Sequence, residues 1–383
     1  MSPATALELD EMIGIGNAIE RTPERTGFMF PPGTVVVSPD SHWLEGDIWI
    51  DRFPPHLRDR APRMHFREGG WNLEVDGRVL LGGEAAAGTA LFECVPGMSN
   101  VEARMQDLDA EGVDKELLFP QRFFILQFLE DLEQREWCVR AYNQSIAEVA
   151  AQRPDRLYGV GILKWWDPEG TPDAIAELKD LGFKTFMIPI SPGNHVDGEP
   201  VAYGSERMDP FWNAVEKCGL PVCYHIGEKP VLDTARGATG AYVMREFGGM
   251  RNVWSSLVFS GLFDRNPCLR IVFVESQLHW IPGALHDADM INESFPSHVQ
   301  PKLAHSPSWY WRNHCYATFM VDPPGLSMLD RIGADRVMWS TDYPHNESTL
   351  GYTRSAARAV HDVTTEEQFR MIVGGTALRL FDL

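Results

Sequence analysis

The sequence predicts an α/β protein whose main domain closes into a (β/α)8 TIM barrel, with a lid inserted after the first strand. Eight short apolar runs rich in β-branched residues alternate with helical patterns along the 383 residues. Near-continuous apolar strands separated by helices indicate a parallel sheet covered on both faces, and eight such units favour a closed barrel. The predicted strands are residues 34–38, 116–119, 157–162, 184–188, 221–224, 271–274, 316–320 and 336–340.

The helices and the remaining segments follow from the same pattern. Apolar residues recur with helical spacing in residues 101–110, 128–151, 173–181, 209–217, 242–263 and 324–332. We expect residues 1–33 to be an N-terminal lead-in and residues 34–383 to form one metal-dependent barrel domain. Residues 43–98 interrupt the alternation: they are rich in Pro, Arg and Gly and contain Asp76-Gly77, a hairpin signal. This insertion is predicted to cover the barrel mouth.

The bulk composition limits the partners of the chain. A net charge of −20 argues against a broad surface for nucleic acid or for an anionic membrane. The six cysteines have no CxxC spacing, which indicates free thiols in a reducing compartment. No apolar run reaches membrane-spanning length and the first residues do not form a basic, apolar leader. A cytoplasmic protein is therefore expected.

Residues of the types that bind metal ions follow four of the predicted strands. In a barrel, the ends of these strands meet at one mouth, so side chains placed there surround a single point. A carboxylate or an imidazole at each strand end is what a catalytic metal ion requires. The candidate metal ligands are Asp40, His42, Glu45, His225, Glu275, His279 and Asp342.

The spacing of these residues suggests their roles. Asp40 and His42 are two residues apart, so an extended strand points both side chains to the same face. His345 is expected to orient Asp342 or to donate to the substrate. The candidate catalytic residues are Asp342, Glu275 and His345. One four-coordinate zinc ion would leave several of these side chains unused. The surplus fits either a dinuclear site or one octahedral ion with hydrogen-bonded neighbours.

Several motifs resemble the amidohydrolase-related metal enzymes, the group that includes aminocarboxymuconate-semialdehyde decarboxylase and aromatic-acid decarboxylases. The resemblance rests on RMQDLDAEGVD at 104–114, WSTDYPH at 339–345 and the closing GGTALRL at 374–380. Two positions depart from that pattern. Asp40-Ser41-His42 stands where hydrolytic members have His-x-His, and Glu275 stands where decarboxylating members place a catalytic imidazole.

With Glu45, this Asp-x-His-x-x-Glu form resembles a branch of these barrels that includes a non-haem diiron monooxygenase of platensimycin and platencin diterpenoid biosynthesis. The resemblance implies two iron ions and hydroxylation of a bulky apolar substrate. It also implies a coenzyme A thioester, whose phosphates would meet the arginines of residues 58–67, and an external electron donor or reductase.

Two alternatives remain at this point. The first is a hydrolase or a non-oxidative decarboxylase that uses one zinc or manganese ion, with Asp342 as general base. The second is a barrel with a structural metal ion and a partner-binding lid. Self-association of the chain is left open.

Overall fold

The computed structural model describes residues 27–67, 70–81, 95–228 and 235–383. Most of the predicted lead-in therefore lies outside the described residues. The strands, labelled β1 to β12 in chain order, are Val37–Trp43, Arg63–Arg67, Gly70–Val75, Arg78–Leu81, Lys115–Pro120, Leu157–Gly159, Gly161–Ile162, Phe186–Met187, Val222–His225, Ile271–Val274, Cys315–Phe319 and Val337–Trp339.

Helices separate these strands, as the alternation predicts. Labelled α1 to α14, they are Val101–Glu111, Phe123–Leu126, Leu132–Ala150, Thr171–Asp180, Asp209–Cys218, Ala238–Phe259, Leu262–Arg265, Trp280–Ser294, Pro307–His314, Pro323–Leu326, Leu329–Ile332, Thr353–His361, Glu366–Arg370 and Thr376–Phe381. The sequence patterns did not identify α2, α8, α9, α12 or α14. Among the described residues, no helix combines the length and the apolarity needed to span a bilayer.

The parallel strands form the predicted barrel. β1 pairs with β5 and β5 with β6, while β7 to β12 form one parallel sheet in chain order. β6 leads directly into β7, which joins the two sheets on one side. On the other side the barrel closes through backbone hydrogen bonds between β1 and the residues that follow β12. The amide of His42 donates to the carbonyl of Tyr343 (2.7 Å), and the amide of Asp342 donates to the carbonyl of Asp40 (2.9 Å).

The first strand differs from its predicted position. We expected residues 34–38 to form the strand and the metal-ligand motif to follow it, but β1 runs from Val37 to Trp43 and contains that motif. Its register against β5 shifts between Ser38 and Ser41, which is a β-bulge. Bulges next to active sites redirect side chains, and here Asp40 and His42 are both completely buried.

The inserted segment contains a small antiparallel sheet. β2 pairs with β3 and β3 with β4, and Asp76-Gly77 forms the predicted turn between β3 and β4. Arg60 binds the segment to the helix that follows the second barrel strand, because its guanidinium donates to Asp131 (2.6 Å) as well as to Asp76 (3.0 Å). That this segment acts as a lid stays a prediction.

A buried ion pair between Arg104 and Glu116 supports β1. Arg104 lies on α1, which begins at the side-chain cap of Asn100 and ends at Gly112, where φ is 80°. The Arg104 guanidinium donates to Glu116 on β5 (2.7 Å) and to the carbonyl of His42 (2.8 Å). Both side chains of the pair are fully buried, so the pair ties α1, β1 and β5 together at the level of the metal-ligand motif.

Replacing Arg104 by Met should destabilise the protein by about 3–5 kcal/mol, since Glu116 would remain as an unpaired buried charge. Urea denaturation followed by circular dichroism measures the change. Arg153→Met is the matched control, because Arg153 pairs with Glu102 at the surface and exposed pairs contribute roughly 0–1 kcal/mol. Equal effects of the two substitutions would contradict the structural role of the buried pair.

Candidate metal centre

Four side chains from three strands and the residues that follow them meet at the carboxyl-terminal mouth of the barrel. Asp40 and His42 come from β1, His225 ends β9, and Asp342 follows β12. His225 Nε2 lies 3.2 Å from Asp40 Oδ1. His42 Nε2 lies 3.4 Å from Asp342 Oδ1 and 3.8 Å from Asp40 Oδ1. The structure therefore brings two carboxylates and two imidazoles within reach of one ion.

The geometry allows two overlapping groups of metal-ligating atoms. One group is Asp40, His42 and His225, and the other is His42, Glu275, Asp342 and His345. In each group the candidate ligand atoms lie within 4.8 Å of one another. Because both groups share His42, they describe adjoining parts of one site and not two separate centres.

Three buried atoms in this cluster have no hydrogen-bond partner among the described residues: Asp40 Oδ2, His42 Nε2 and Asp342 Oδ1. Buried polar atoms are normally satisfied, so the convergence of these unpartnered acceptors fits a site that binds a cation. The Nδ1 atom of His42 donates to the carbonyl of Pro120 (2.9 Å), and that of His225 donates to the carbonyl of Ile226 (2.7 Å). These bonds direct each Nε2 lone pair inward, as metal-ligating histidines require.

The protonation state of His42 also fits a metal ligand. Burial, followed by the neighbouring His345 and His225, holds the pKa of His42 well below its usual value. His42 is therefore neutral near pH 7, and a neutral imidazole is the form that binds metal. Carboxylate and imidazole donors without a thiolate suit manganese, iron or zinc.

His345 lies beside the cluster and differs from the two buried imidazoles. Its Nδ1 faces Asp342 (3.2 Å), its Nε2 donates to the side-chain oxygen of Gln121 (3.0 Å), and its ring stacks on His42 at 3.9 Å. Burial lowers the pKa of His345, but Asp342 outweighs this effect and raises it to about 9. His345 is thus placed to carry a proton next to the cluster.

Glu275 faces the same space from the end of β10. Its Oε2 lies 3.8 Å from His225 Nδ1, and burial, together with the nearby Asp342 and Glu347, raises its pKa well above the usual value. Glu275 and Asp342 both have positive φ, at 55° and 53°. This conformation costs a non-glycine residue about 1–3 kcal/mol and is common at functional sites.

The other two predicted ligands lie outside both groups. The carboxylate of Glu45 accepts backbone hydrogen bonds from Gln121, Arg122 and Phe123. The side chain of His279 is half-exposed, and its Nδ1 faces Asp322 (3.2 Å). Of the seven predicted ligands, the structure therefore brings together five, which are Asp40, His42, His225, Glu275 and Asp342.

Aromatic rings and carboxylates surround the cluster. A cavity of about 150 Å³ opens onto it. Phe124 packs 5.1 Å from the ring of His225, while Tyr242, Glu246 and Glu347 lie further along the cavity wall. The sequence patterns missed Gln121 and Phe124, although both follow the end of the second barrel strand, the position that indicated the other site residues.

A protein-family model described as Amidohydrolase matches residues 93–383, three-quarters of the chain. The chain belongs to the amidohydrolase family. This result agrees with the resemblance of the sequence motifs and with the observed barrel.

Among curated relatives, a γ-resorcylate decarboxylase of Rhodococcus jostii is 28% identical over 306 residues, covering 74% of this chain and 84% of the relative. A γ-resorcylate decarboxylase of a Polaromonas species is 25% identical and covers 74% and 87%. Both relatives are decarboxylases.

Solved structures share the fold over nearly the whole chain. An amidohydrolase of Mycobacterium avium subspecies paratuberculosis superimposes with a TM-score of 0.73 at 19% identity, covering 92% of this chain and 100% of that structure. A 5-carboxyvanillate decarboxylase of Novosphingobium aromaticivorans, solved with manganese and a nitrobenzoic acid, has a TM-score of 0.69 at 20% identity, with 93% and 98% covered.

The prediction of a diiron monooxygenase is wrong. The curated relatives named above are decarboxylases, and related structures contain manganese with aromatic ligands. Two iron ions find no support, whereas the alternative of one zinc or manganese ion agrees with these structures. Neither a reductase nor coenzyme A is indicated. The extra carboxylate that suggested oxygen chemistry, Glu45, binds backbone amides instead.

The metal content of variants tests which side chains bind the ion and which only lie near it. We expect about one manganese ion per chain in protein loaded with Mn²⁺ and desalted, and we expect His225→Ala to lose it because an inward imidazole is removed. His279→Ala is the matched control and should retain the ion, since His279 lies outside both groups. Plasma mass spectrometry measures the content, and circular dichroism checks that each variant folds. Retention of the ion by His225→Ala would contradict the assignment.

Proposed function

We propose that the protein is a mononuclear metal-dependent decarboxylase that removes a carboxyl group non-oxidatively from an aromatic acid. The observation that carries this proposal is the buried cluster of Asp40, His42, His225 and Asp342 with its convergent unpartnered atoms. The similarity to γ-resorcylate decarboxylases over three-quarters of the chain supports the reaction type.

The four residues of the cluster would hold one manganese or zinc ion. When bound, such an ion would provide Lewis-acid chemistry toward the oxygen substituents of an aromatic acid. Phe124 packs against the imidazoles that would hold the ion, and it offers the substrate ring an apolar surface. The site therefore combines a charged anchor with an aromatic wall, as many small-molecule sites do.

The chain's own residues would supply the proton that the reaction consumes. A proton adds to the ring carbon that bears the carboxylate, the carbon–carboxylate bond then breaks, and its electron pair restores the aromatic ring as CO2 leaves. The reaction needs no oxidant or reductant, so no partner enzyme is required.

We assign the proton donation to Glu275. Its carboxyl group faces the cavity, and burial, together with the nearby Asp342 and Glu347, raises its pKa well above the usual value, which favours the protonated form. This role replaces the imidazole that decarboxylating members of the family carry at this position. His345, whose pKa is raised to about 9, would hold a second proton beside the substrate.

Hydrolysis is the second candidate, favoured by one observation. Burial, partly offset by His345, raises the pKa of Asp342 to about 7. A carboxylate with a pKa near 7 is suited to accept a proton from water. Under this alternative the substrate would carry a hydrolysable bond, and no CO2 would be released.

A strictly anaerobic assay tests the proposed decarboxylation. We expect the Mn²⁺-loaded protein to release CO2 from 2,6-dihydroxybenzoate or 5-carboxyvanillate without oxygen and without a reductant. Mass spectrometry of the head-space CO2, with 13C in the carboxyl group, measures the release. Protein stripped of metal is the control and should be inactive. Turnover of these acids that depends on oxygen would contradict the proposal.

Glu275→Gln should lower kcat about 10²–10⁴-fold, because the carboxamide cannot supply a proton and general acids contribute about that factor. Manganese content should stay close to one ion per chain, which separates loss of the proton from loss of the ion. Steady-state kinetics on the better of the two acids provides the measurement. A kcat unchanged by this substitution would exclude Glu275 as the proton donor.

A further inference from the structure

We infer that Glu45 is a positioning residue, which sets the place of Gln121 and Phe124 against the histidines of the metal centre. This inference rests on the proposed function, since it concerns the same site. It differs from the role that the sequence suggested for Glu45, because the residue acts through the backbone of the turn at residues 121–123 and not on the ion.

The contacts of Glu45 are unusually complete for one carboxylate. Its Oε1 accepts hydrogen bonds from the backbone amides of Gln121 (3.1 Å), Arg122 (3.0 Å) and Phe123 (2.9 Å), and its Oε2 accepts a second bond from the Arg122 amide (2.9 Å). Glu45 is only 4% exposed. Three successive amides directed at one buried anion fix both the anion and the turn.

The turn held by Glu45 presents two side chains to the site. The side-chain oxygen of Gln121 accepts a hydrogen bond from His345 Nε2 (3.0 Å). The ring of Phe124 lies 5.1 Å from that of His225 and 6.3 Å from that of His42. A shift of this turn would therefore move a hydrogen-bond partner of His345 and an apolar contact of both buried imidazoles.

His345 depends on Gln121 for its orientation. Its Nδ1 is directed to Asp342 and its Nε2 donates to Gln121, and both bonds hold the ring in its stack on His42. The Gln121 side chain follows the backbone that Glu45 holds. Glu45, Gln121 and His345 thus form a chain of direct contacts that reaches the metal centre without placing Glu45 among the ligands.

The length and the charge of Glu45 both matter for this role. A glutamine at this position keeps one acceptor oxygen, but its amide group would face backbone N–H donors. Glu45→Gln should therefore release part of the turn while leaving the volume of the side chain almost unchanged. Gln121→Ala removes the last link of the same chain of contacts and leaves the turn in place.

Glu111 provides a matched control. It is also a buried carboxylate, 7% exposed, and accepts backbone hydrogen bonds from Gly351 (3.2 Å) and Thr353 (3.3 Å). Glu111→Gln therefore removes charge from a comparable backbone-binding carboxylate that does not hold the turn carrying Gln121. A merely structural role of Glu45 predicts that Glu45→Gln and Glu111→Gln behave alike.

The experiment compares these variants in three measurements. Manganese content per chain is determined on Mn²⁺-loaded protein, and kcat and KM are determined with 2,6-dihydroxybenzoate or 5-carboxyvanillate. The third measurement is the side-chain 15N–1H spectrum of Zn²⁺-loaded protein with 15N-labelled histidine, in which His345→Gln assigns the signal of His345. The metal content and the spectrum require no activity, so they test this inference even if neither acid is a substrate.

We expect Glu45→Gln and Gln121→Ala to retain one manganese ion, to lower kcat about 10–100-fold with a smaller change in KM, and to alter the His345 signal. The kcat of the double variant should be at most about twofold lower than that of the more affected single variant, because both changes break one chain of contacts. Glu111→Gln should leave the His345 signal unchanged.

Three outcomes would overturn the inference. Loss of manganese in Glu45→Gln alone would make Glu45 a ligand. An unaltered His345 signal in Glu45→Gln, as expected for Glu111→Gln, would leave Glu45 with a structural role only. Multiplicative effects of Glu45→Gln and Gln121→Ala on kcat would show that the two residues act independently.

Discussion

The backbone pairing between β1 and the segment after β12 is the constraint on which the metal centre depends. The amides of His42 and Asp342 donate across this seam to Tyr343 and Asp40. The seam joins residues that are 301 and 302 positions apart in the chain, and it places the side chains of Asp40, His42 and Asp342 around one point. Without barrel closure, these residues would be polar groups at the ends of separate strands.

The electrostatics of the site follow from that closure. Asp40, Glu275 and Asp342 are brought together in a buried space, and their mutual repulsion adds to the cost of removing charge from water. The raised pKa values of Glu275 and Asp342 reflect this cost. A divalent cation would stabilise the cluster, since it compensates the carboxylates and satisfies the unpartnered atoms.

A layer of buried contacts around the cluster supports its geometry. The Arg104–Glu116 pair supports β1 through a hydrogen bond to the carbonyl of His42. The backbone carbonyls of Pro120 and Ile226 orient the imidazoles of His42 and His225. Glu45 holds the turn from which Gln121 reaches His345. The residues that would bind the ion are thus positioned by groups that do not touch it, which is typical of metal sites.

The sequence by itself determined the barrel and the residues of the cluster, because near-continuous apolar strands and polar residues at their ends are local patterns. It could not separate Glu45 and His279 from the residues that converge in the cluster, since both lie within one turn of the motif residues. Only the tertiary structure decided their partners: the amides of 121–123 for Glu45 and Asp322 for His279. The reaction was likewise beyond the local pattern. The types of the candidate ligands restrict the choice of metal ion, but they do not identify the reaction. Glu45, which the sequence suggested as an iron ligand, binds backbone amides in the folded chain.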